Sequence, residues 1–138
     1  GIARAPGALE LLEPLAMRAA SRGRFAEARR ILASAVPRNS AEAADRRMLE
    51  ARVLRAQGRL LEAAAELESA AAAQPRSPVP LEALADVLAE LGRPDDAVAA
   101  LRRAAALAPA RSGEYEKRIA GIEAMRAARE AAAADASR

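Results

Sequence analysis

A six-residue block that begins with glycine occurs three times in this chain at a nearly constant spacing. Each copy reads Gly-Arg, two variable residues, an acidic residue and alanine, at residues 23–28, 58–63 and 92–97. The glycines of the second and third copies, Gly58 and Gly92, lie 34 positions apart, and Gly23 precedes Gly58 by 35 positions. A period of this size is typical of stacked structural repeats. We therefore interpret the chain as a repeat protein.

The composition predicts an all-helical fold. At 138 residues the chain is one domain by length, and 52% of it is hydrophobic, but most of that fraction is alanine. The chain has one Phe, one Tyr and no Trp, and threonine is absent. Alanine, arginine and glutamate are strong helix formers, whereas strand-forming residues are scarce. Because alanine buries little area, we expect a core of closely approaching helices supplemented by Leu and Ile.

Each block glycine is interpreted as the turn between two helices, which divides the chain into three helix-turn-helix repeats at residues 9–42, 44–77 and 78–111. Ala43 is the extra residue that makes the first spacing longer. Residues 1–8 are then an N-terminal extension, a further helix runs over 112–134, and residues 135–138 are a frayed tail. This last helix has an apolar stripe of Tyr115, Ile119, Ile122 and Met125. We favour a cap on the last repeat over a partner-binding helix.

The third repeat has the clearest helical pattern. Its first helix is predicted over 78–91, with Ser77 as a possible N-cap and Gly92 at its end. Pro94 opens the second helix and Pro109 stops it. The first helix has apolar residues at the i, i+3, i+4, i+7 spacing of an amphipathic helix: Leu81, Leu84, Ala85 and Leu88. The first repeat is looser, since Pro14 falls inside its first helix, which we expect to start late or to kink there.

The repeat pattern resembles the tetratricopeptide repeat, a 34-residue unit with small, large, glycine and proline residues at set positions. Seven residues of the third repeat fill those positions in order: Ala85, Leu88, Gly92, Ala97, Leu101, Ala104 and Pro109. The second repeat matches at all seven positions as well: Ala51, Leu54, Gly58, Ala63, Leu67, Ala70 and Pro75. The resemblance covers residues 9–111 and implies a right-handed α-solenoid with a concave face, closed by a C-terminal solvating helix.

In this family the first helix of each repeat lines the concave groove. The resemblance implies that these residues face the groove: Glu10, Glu13, Met17, Ala20, Asp45, Met48, Arg52, Arg55, Val79, Glu82, Asp86 and Ala89. The candidate partner-binding site consists of eight of them: Glu13, Met17, Asp45, Met48, Arg52, Arg55, Glu82 and Asp86. Family members that clamp the carboxylates of chaperone tails have Lys and Asn at the positions of Glu13 and Met17, so we do not expect that ligand class here.

Arg52 and Arg55 are the most specific binding candidates, because residues at i and i+3 share a helix face. Arginine forks grip a carboxylate through two hydrogen bonds, so one hypothesis is that they bind an acidic peptide or a peptide C-terminus. The alternative is that they pair within the groove with Glu82, Asp86 or Asp45. Met17 and Met48 offer an adaptable apolar surface, or else pack between helices.

The sequence argues against several other functions. It has no His and no Cys, so the usual metal ligands, thiol nucleophiles and near-neutral bases are missing, and no Gly-rich phosphate loop is present. We therefore expect no catalysis, no metal and no cofactor. Nucleic-acid binding is not expected, since the arginine pairs are interspersed with acids and stacking aromatics are nearly absent. No apolar run of about 18 residues exists, so membrane insertion is not expected either.

The sequence thus predicts a non-catalytic protein-interaction module within a larger bacterial protein or assembly. The bacterial assignment rests on composition, since 21 of 22 basic residues are arginine and alanine is abundant. The alternative is a self-associating scaffold, a homo-oligomer formed through an apolar end face near Leu9, Leu11, Leu12 and Leu15. The sequence does not fix the compartment: the cytoplasm is favoured, and the periplasm is possible if a signal was removed.

Overall fold

The structure is a computed structural model that describes residues 7–138. Over those residues the chain forms seven α-helices and one 3₁₀ turn, Pro109–Arg111, and contains no β-strand. The helices are α1 (Ala8–Ser21), α2 (Phe25–Ala33), α3 (Ser40–Ala56), α4 (Leu60–Ala73), α5 (Val79–Glu90), α6 (Pro94–Leu107) and α7 (Ser112–Ala136). The all-α class and the pairing of helices around the block glycines are thus confirmed.

The chain divides into two compact units, Gly1–Pro75 and Arg76–Arg138. In unit 1, α1 packs against α2 and α3 packs against α4, while α3 also contacts both α1 and α2. In unit 2, α5 packs against α6, and α7 packs against α6. Unit 1 therefore consists of two helix pairs and unit 2 of one, each joined by a short glycine turn, and unit 2 ends in a single long helix.

The three block glycines end their helices in one and the same way. Gly23, Gly58 and Gly92 have φ angles of 76°, 83° and 76°, in the left-handed region that favours glycine. After each glycine, the arginine N–H donates to the carbonyl five residues earlier, at 2.8 Å from Arg59 to Leu54. This is the Schellman pattern of helix termination. A Cβ on any of these glycines would meet no atom within 4 Å, so backbone conformation is what requires glycine here.

The remaining residues of the block start the second helix of each pair. The carbonyl of Arg59 accepts the N–H of Ala63 at 3.0 Å, and the equivalent bond forms in the other two repeats. The acidic residue lies in the first helical turn, where the helix dipole favours negative charge, and Glu62 lies 3.7 Å from the Arg59 guanidinium. Ala63 is fully buried, as are Ala28 and Ala97. Every invariant position of the block therefore has a local structural reason.

The core repeats with the sequence. The residues at four equivalent positions of the three repeats are at most 2% exposed: Ala16, Ala51, Ala85; Ala28, Ala63, Ala97; Leu32, Leu67, Leu101; Ala35, Ala70, Ala104. Small residues at helix crossings let the backbones approach closely, while leucine fills the remaining space. The predicted inner stripe of α5, which includes Leu81 and Leu84, is also buried.

The structure differs from the sequence prediction at three helix ends. The α1 helix begins at Ala8, so of the two alternatives predicted from Pro14, a late start or a kink, the late start is wrong: the helix continues through this exposed proline. The α3 helix begins at Ser40, one turn before the boundary predicted at residue 44, because the Asn39 side chain caps it by accepting the Glu42 N–H at 2.9 Å. The α7 helix continues to Ala136. Residues 1–6 of the predicted extension lie outside the described residues.

Candidate protein-binding surface

Six of the predicted groove residues lie in unit 1, on α1 and α3: Glu13, Met17, Asp45, Met48, Arg52 and Arg55. We call them the α1–α3 face. The two helices contact each other, and Asp45 lies near enough to Glu13 for their charges to repel. Burial raises the pKa of the Asp45 carboxyl, and the negative charges of Glu13 and Glu42 raise it further. The structure therefore brings the acidic residues of the two helices together at one end of the face.

The methionines lie at the middle of the α1–α3 face. Met17 is half-buried and packs against the core cluster of unit 1, which includes Leu9, Ala16 and Val53. Met48 is half-buried as well. Each methionine thus combines a packed portion with an accessible portion, so the two alternatives drawn from the sequence, packing and an open apolar surface, are not exclusive for Met17.

The basic end of the α1–α3 face is formed by Arg52 and Arg55, which are both exposed. Arg52 follows Asp45 by seven residues, about 10 Å further along the axis of α3. Among residues 7–138, no carboxylate pairs with the Arg52 guanidinium. The face therefore runs from a carboxylate pair, across two thioethers, to two exposed guanidinium groups.

The two residues of unit 2 that were predicted to face the groove are held by the C-terminal segment. The Arg111 guanidinium contacts the Glu82 carboxylate through both terminal nitrogens, at 2.6 and 3.3 Å. Arg118 pairs with Asp86 at 2.5 Å and also donates to the Glu82 carbonyl at 3.3 Å. Glu82 and Asp86 therefore have partners on α7 and on the turn before it.

A buried aromatic residue anchors this network. Tyr115 of α7 is fully buried, and the Arg111 guanidinium lies over its ring, 5.2 Å from the centroid. Burial raises the pKa of the Tyr115 hydroxyl, and the nearby Glu82 carboxylate adds to this shift. Ile119, one turn later, is buried too, whereas Met125 at the end of the predicted stripe is exposed. The first half of α7 is thus the part that caps unit 2.

Sequence reasoning missed Arg111 and Arg118 as part of this site. Their spacing of seven residues, two helical turns, puts both on the same side of the C-terminal segment as Tyr115. That spacing is the sequence signal, but it does not identify which carboxylates the arginines meet. The partners lie about 30 residues earlier, so only the packing of α7 reveals them.

Two features of residues 7–138 bear on other functions. No group of three or more acidic, histidine or cysteine side chains is placed to hold a metal ion in that range. No helix within it is both long and apolar enough to cross a membrane.

Residues 54–117 match the sequence model of a family described as tetratricopeptide repeat. None of the curated protein sequences matches the chain. Among solved structures, the fold is similar to the type III secretion chaperone SycD of Yersinia enterocolitica in complex with a peptide of the translocator YopD. That comparison has a TM-score of 0.64 and 16% identity over 86% of this chain and 94% of SycD.

Two further structures share the fold. PcrH in complex with the chaperone binding region of PopB gives a TM-score of 0.61 with 22% identity, over 85% of this chain and 93% of PcrH. MamA gives a TM-score of 0.59 with 17% identity, over 88% of this chain and 82% of MamA. Residues 54–117 therefore match the tetratricopeptide repeat family, and the described residues have a tetratricopeptide-like helical fold.

Proposed function

We propose that the protein is a non-catalytic interaction module that binds an extended or helical segment of a partner protein on the α1–α3 face. The observation that carries this proposal is the exposed pair of Arg52 and Arg55 at one end of that face. Two of the similar structures, SycD and PcrH, contain a bound segment of another protein, which supports this class of function for the fold.

The chemistry of the face defines the ligand. A carboxylate, from an acidic side chain or a peptide C-terminus, binds the guanidinium groups of Arg52 and Arg55. An apolar side chain next to it packs on Met17 and Met48, whose flexible thioethers adapt to its shape. The carboxylates of Glu13 and Asp45 repel acidic residues at the opposite end, so the ligand binds in one direction only.

The groove carboxylates of unit 2 have a different role in this proposal. Glu82 and Asp86 are neutralised by Arg111 and Arg118, so they hold the capping helix rather than contact the ligand. The contact residues of the predicted site are then those of the α1–α3 face, and the two arginines supply its specificity.

Selection from a displayed library of random peptides tests the proposal, because it requires no identified partner. We expect the selected peptides to be rich in acidic residues or to need a free C-terminal carboxylate, and to lose binding to Arg52→Glu/Arg55→Glu. The matched control is Arg29→Glu/Arg30→Glu, which reverses the same charge at two exposed positions of α2. Peptides that bind the wild type and the Arg52/Arg55 variant equally would refute the groove assignment.

Self-association is the second candidate function, and it is favoured by the exposure of two α1 leucines. Leu11 and Leu15 are 61% and 50% exposed, whereas Leu9 is buried and Leu12 is half-buried. Only part of the apolar end face predicted from the sequence is thus available. A homo-oligomer formed through it would show as a concentration-dependent mass in light scattering, and a monomer at every concentration would remove this candidate.

A further inference from the structure

A second surface of unit 1 lies on the opposite edge of the first helix pair from α3. On α1 it comprises Leu11, Leu15, Arg18 and Arg22, whose i, i+4, i+7, i+11 spacing forms one stripe along the helix. On α2 it comprises Arg24 and Ile31. We call these six residues the leading face. All of them are exposed except Ile31, which is half-buried.

The leading face contains a groove between α1 and α2 with a cavity of about 230 Å³. Its lining combines the apolar side chains of Leu15, Ala19 and Ile31 with three arginines, Arg18, Arg22 and Arg24, and one carboxylate, Glu27. Apolar surface bordered by charged side chains is typical of a groove that a helix covers.

The other repeats indicate what belongs on this face. The positions equivalent to Leu11, Leu15, Arg18 and Ile31 are buried throughout the third repeat: Pro80, Leu84, Val87 and Ala100. In the second repeat, the position equivalent to Arg18 is the buried Val53. There the position equivalent to Leu11 is Arg46, which donates a hydrogen bond of 3.1 Å to the carbonyl of Ala35, just after α2. Arg46 and Val53 thus pack against the first helix pair, while the positions equivalent to Leu15 and Ile31, which are Glu50 and Glu66, are half-buried.

The connection between α2 and α3 gives the direction of the covering helix. The two helices pack against each other and are joined by the short segment 34–39, so α2 runs antiparallel to α3. A helix that covers the leading face in the same way runs antiparallel to α1. Its first turns then lie near Arg18 and Arg22, and its later turns lie near Leu11.

The charges of the leading face select the residues of that helix. Arg24 lies 3.8 Å from Glu27, but neither Arg18 nor Arg22 pairs with a carboxylate among residues 7–138. Two exposed guanidinium groups beside the first turns of a helix favour acidic residues in those turns, which the helix dipole favours as well. Apolar residues are needed further along, where Leu11 and Leu15 lie.

We propose that the leading face binds an amphipathic helix of a partner protein, with acidic residues in its first turns and an apolar stripe after them. This site is separate from the α1–α3 face, since it uses the outer edge of α1 and the side of α2. The protein thereby joins two partner segments through two surfaces of unit 1.

Synthetic helical peptides test this proposal by fluorescence anisotropy with the full chain. The probe has two Glu in its first turn, followed by leucines at i, i+4 and i+7. One control peptide has Lys in place of the two Glu, and another has the two Glu moved to its last turn. We expect the probe to bind about tenfold more tightly than either control. The Lys peptide places a like charge beside Arg18 and Arg22, and the other peptide places its two Glu far from them.

Protein variants assign the binding to this face. We expect Arg18→Glu/Arg22→Glu to weaken binding of the probe about tenfold and to reverse the preference toward the Lys peptide. Leu11→Ser/Leu15→Ser should also lose binding, whereas Arg52→Glu/Arg55→Glu should keep it, which separates this site from the α1–α3 face. Far-UV circular dichroism of each variant establishes that the helices are intact.

Three results would overturn the proposal. The first is no binding of the probe, or equal binding of the Glu and Lys peptides. The second is loss of probe binding in the Arg52/Arg55 variant but not in the Arg18/Arg22 variant. The third is a discrete oligomer of the wild type that Leu11→Ser/Leu15→Ser dissociates, which would assign the face to a second copy of this chain.

Discussion

Arg111, on the turn before α7, grips the carboxylate of Glu82 on α5 across 29 positions of sequence, with Nη2 2.6 Å from Oε1. Glu82 is one of the residues that the family resemblance predicts to face the groove. The ion pair therefore makes this predicted groove residue an anchor for the C-terminal helix. The hydrogen bond to Glu114, and after it the one to Glu82, raises the pKa of Arg111, so the network extends along the start of α7.

Loss of this anchor should weaken unit 2. In Glu82→Gln, Arg111 and Arg118 both lose a charged acceptor that is itself only 16% exposed. We expect the midpoint of thermal unfolding to fall by roughly 2–4 °C. The control is Glu116→Gln, whose carboxylate is exposed and lies 4.0 Å from Arg102, and it should stay within about 1 °C of the wild type. Equal midpoints for the two variants would contradict the anchor.

Substitution by alanine should have opposite effects on stability at a turn glycine and at a glycine within a helix. Gly58→Ala forces alanine to φ 83° and should destabilise the protein by about 1 kcal/mol, although a Cβ has open space there. Gly121→Ala lies within α7, where a Cβ also has open space, and should stabilise by about 0.5–1 kcal/mol. Urea unfolding of both variants measures this. A loss of stability in both would mean that space, rather than backbone conformation, is limiting.

Replacing a buried alanine by a larger residue should destabilise the protein. Ala97 is fully buried within unit 2, so Ala97→Leu inserts three carbons into a packed helix crossing and should cost about 1–3 kcal/mol or more. Ala99→Leu, two residues later on the exposed side of α6, should change the free energy of unfolding by less than about 0.5 kcal/mol. If both variants unfolded at the same denaturant concentration, the close packing of the helices would not depend on the small size of Ala97.

The half-buried carboxyl of Glu50 should make stability depend on pH. Burial raises its pKa above the usual value, and the neighbouring Glu66 raises it further against the opposing charges of Arg46 and Arg47. Since the folded pKa is above the unfolded one, the folded state binds the proton more tightly. The stabilising contribution is therefore full below the unfolded pKa and is lost as pH rises through the folded value.

Glu50→Gln removes this titration, and Glu62→Gln, at an exposed position of α4, is the control. We expect the stability of Glu50→Gln relative to the wild type to increase between pH 4 and pH 7, by less than about 1 kcal/mol. Urea unfolding at several pH values measures this difference. A difference that stays constant would show that folding does not penalise the Glu50 carboxylate, and one that decreases with pH would show that folding stabilises it.

The periodic part of the fold was predictable from sequence because it rests on local and repeated requirements. A left-handed glycine, an arginine at the next helix start and a buried alanine recur at each turn, so three copies are enough to set the register. The burial of residues such as Leu67 and Leu101 follows from that register alone.

The candidate site was predictable only in part, because ion pairs between distant segments depend on how the helices cross. The partners of Glu82 and Asp86 lie on the C-terminal segment, and nothing local to α5 indicates them. The added first turn of α3 depends on the side-chain rotamer of Asn39, which propensity alone does not decide. The leading face differs from the equivalent positions of the other repeats in its exposure, and exposure depends on which helices pack there.

The central claim is that Arg52 and Arg55 recognise a carboxylate of a partner segment. The most direct measurement is the affinity, by isothermal titration calorimetry, of one library-selected peptide for the wild type, Arg52→Glu/Arg55→Glu and Arg29→Glu/Arg30→Glu. We predict a loss of at least about tenfold for the first variant and no change for the second, since only the first reverses the charge at the binding face. Unchanged affinity in the Arg52/Arg55 variant would contradict the claim.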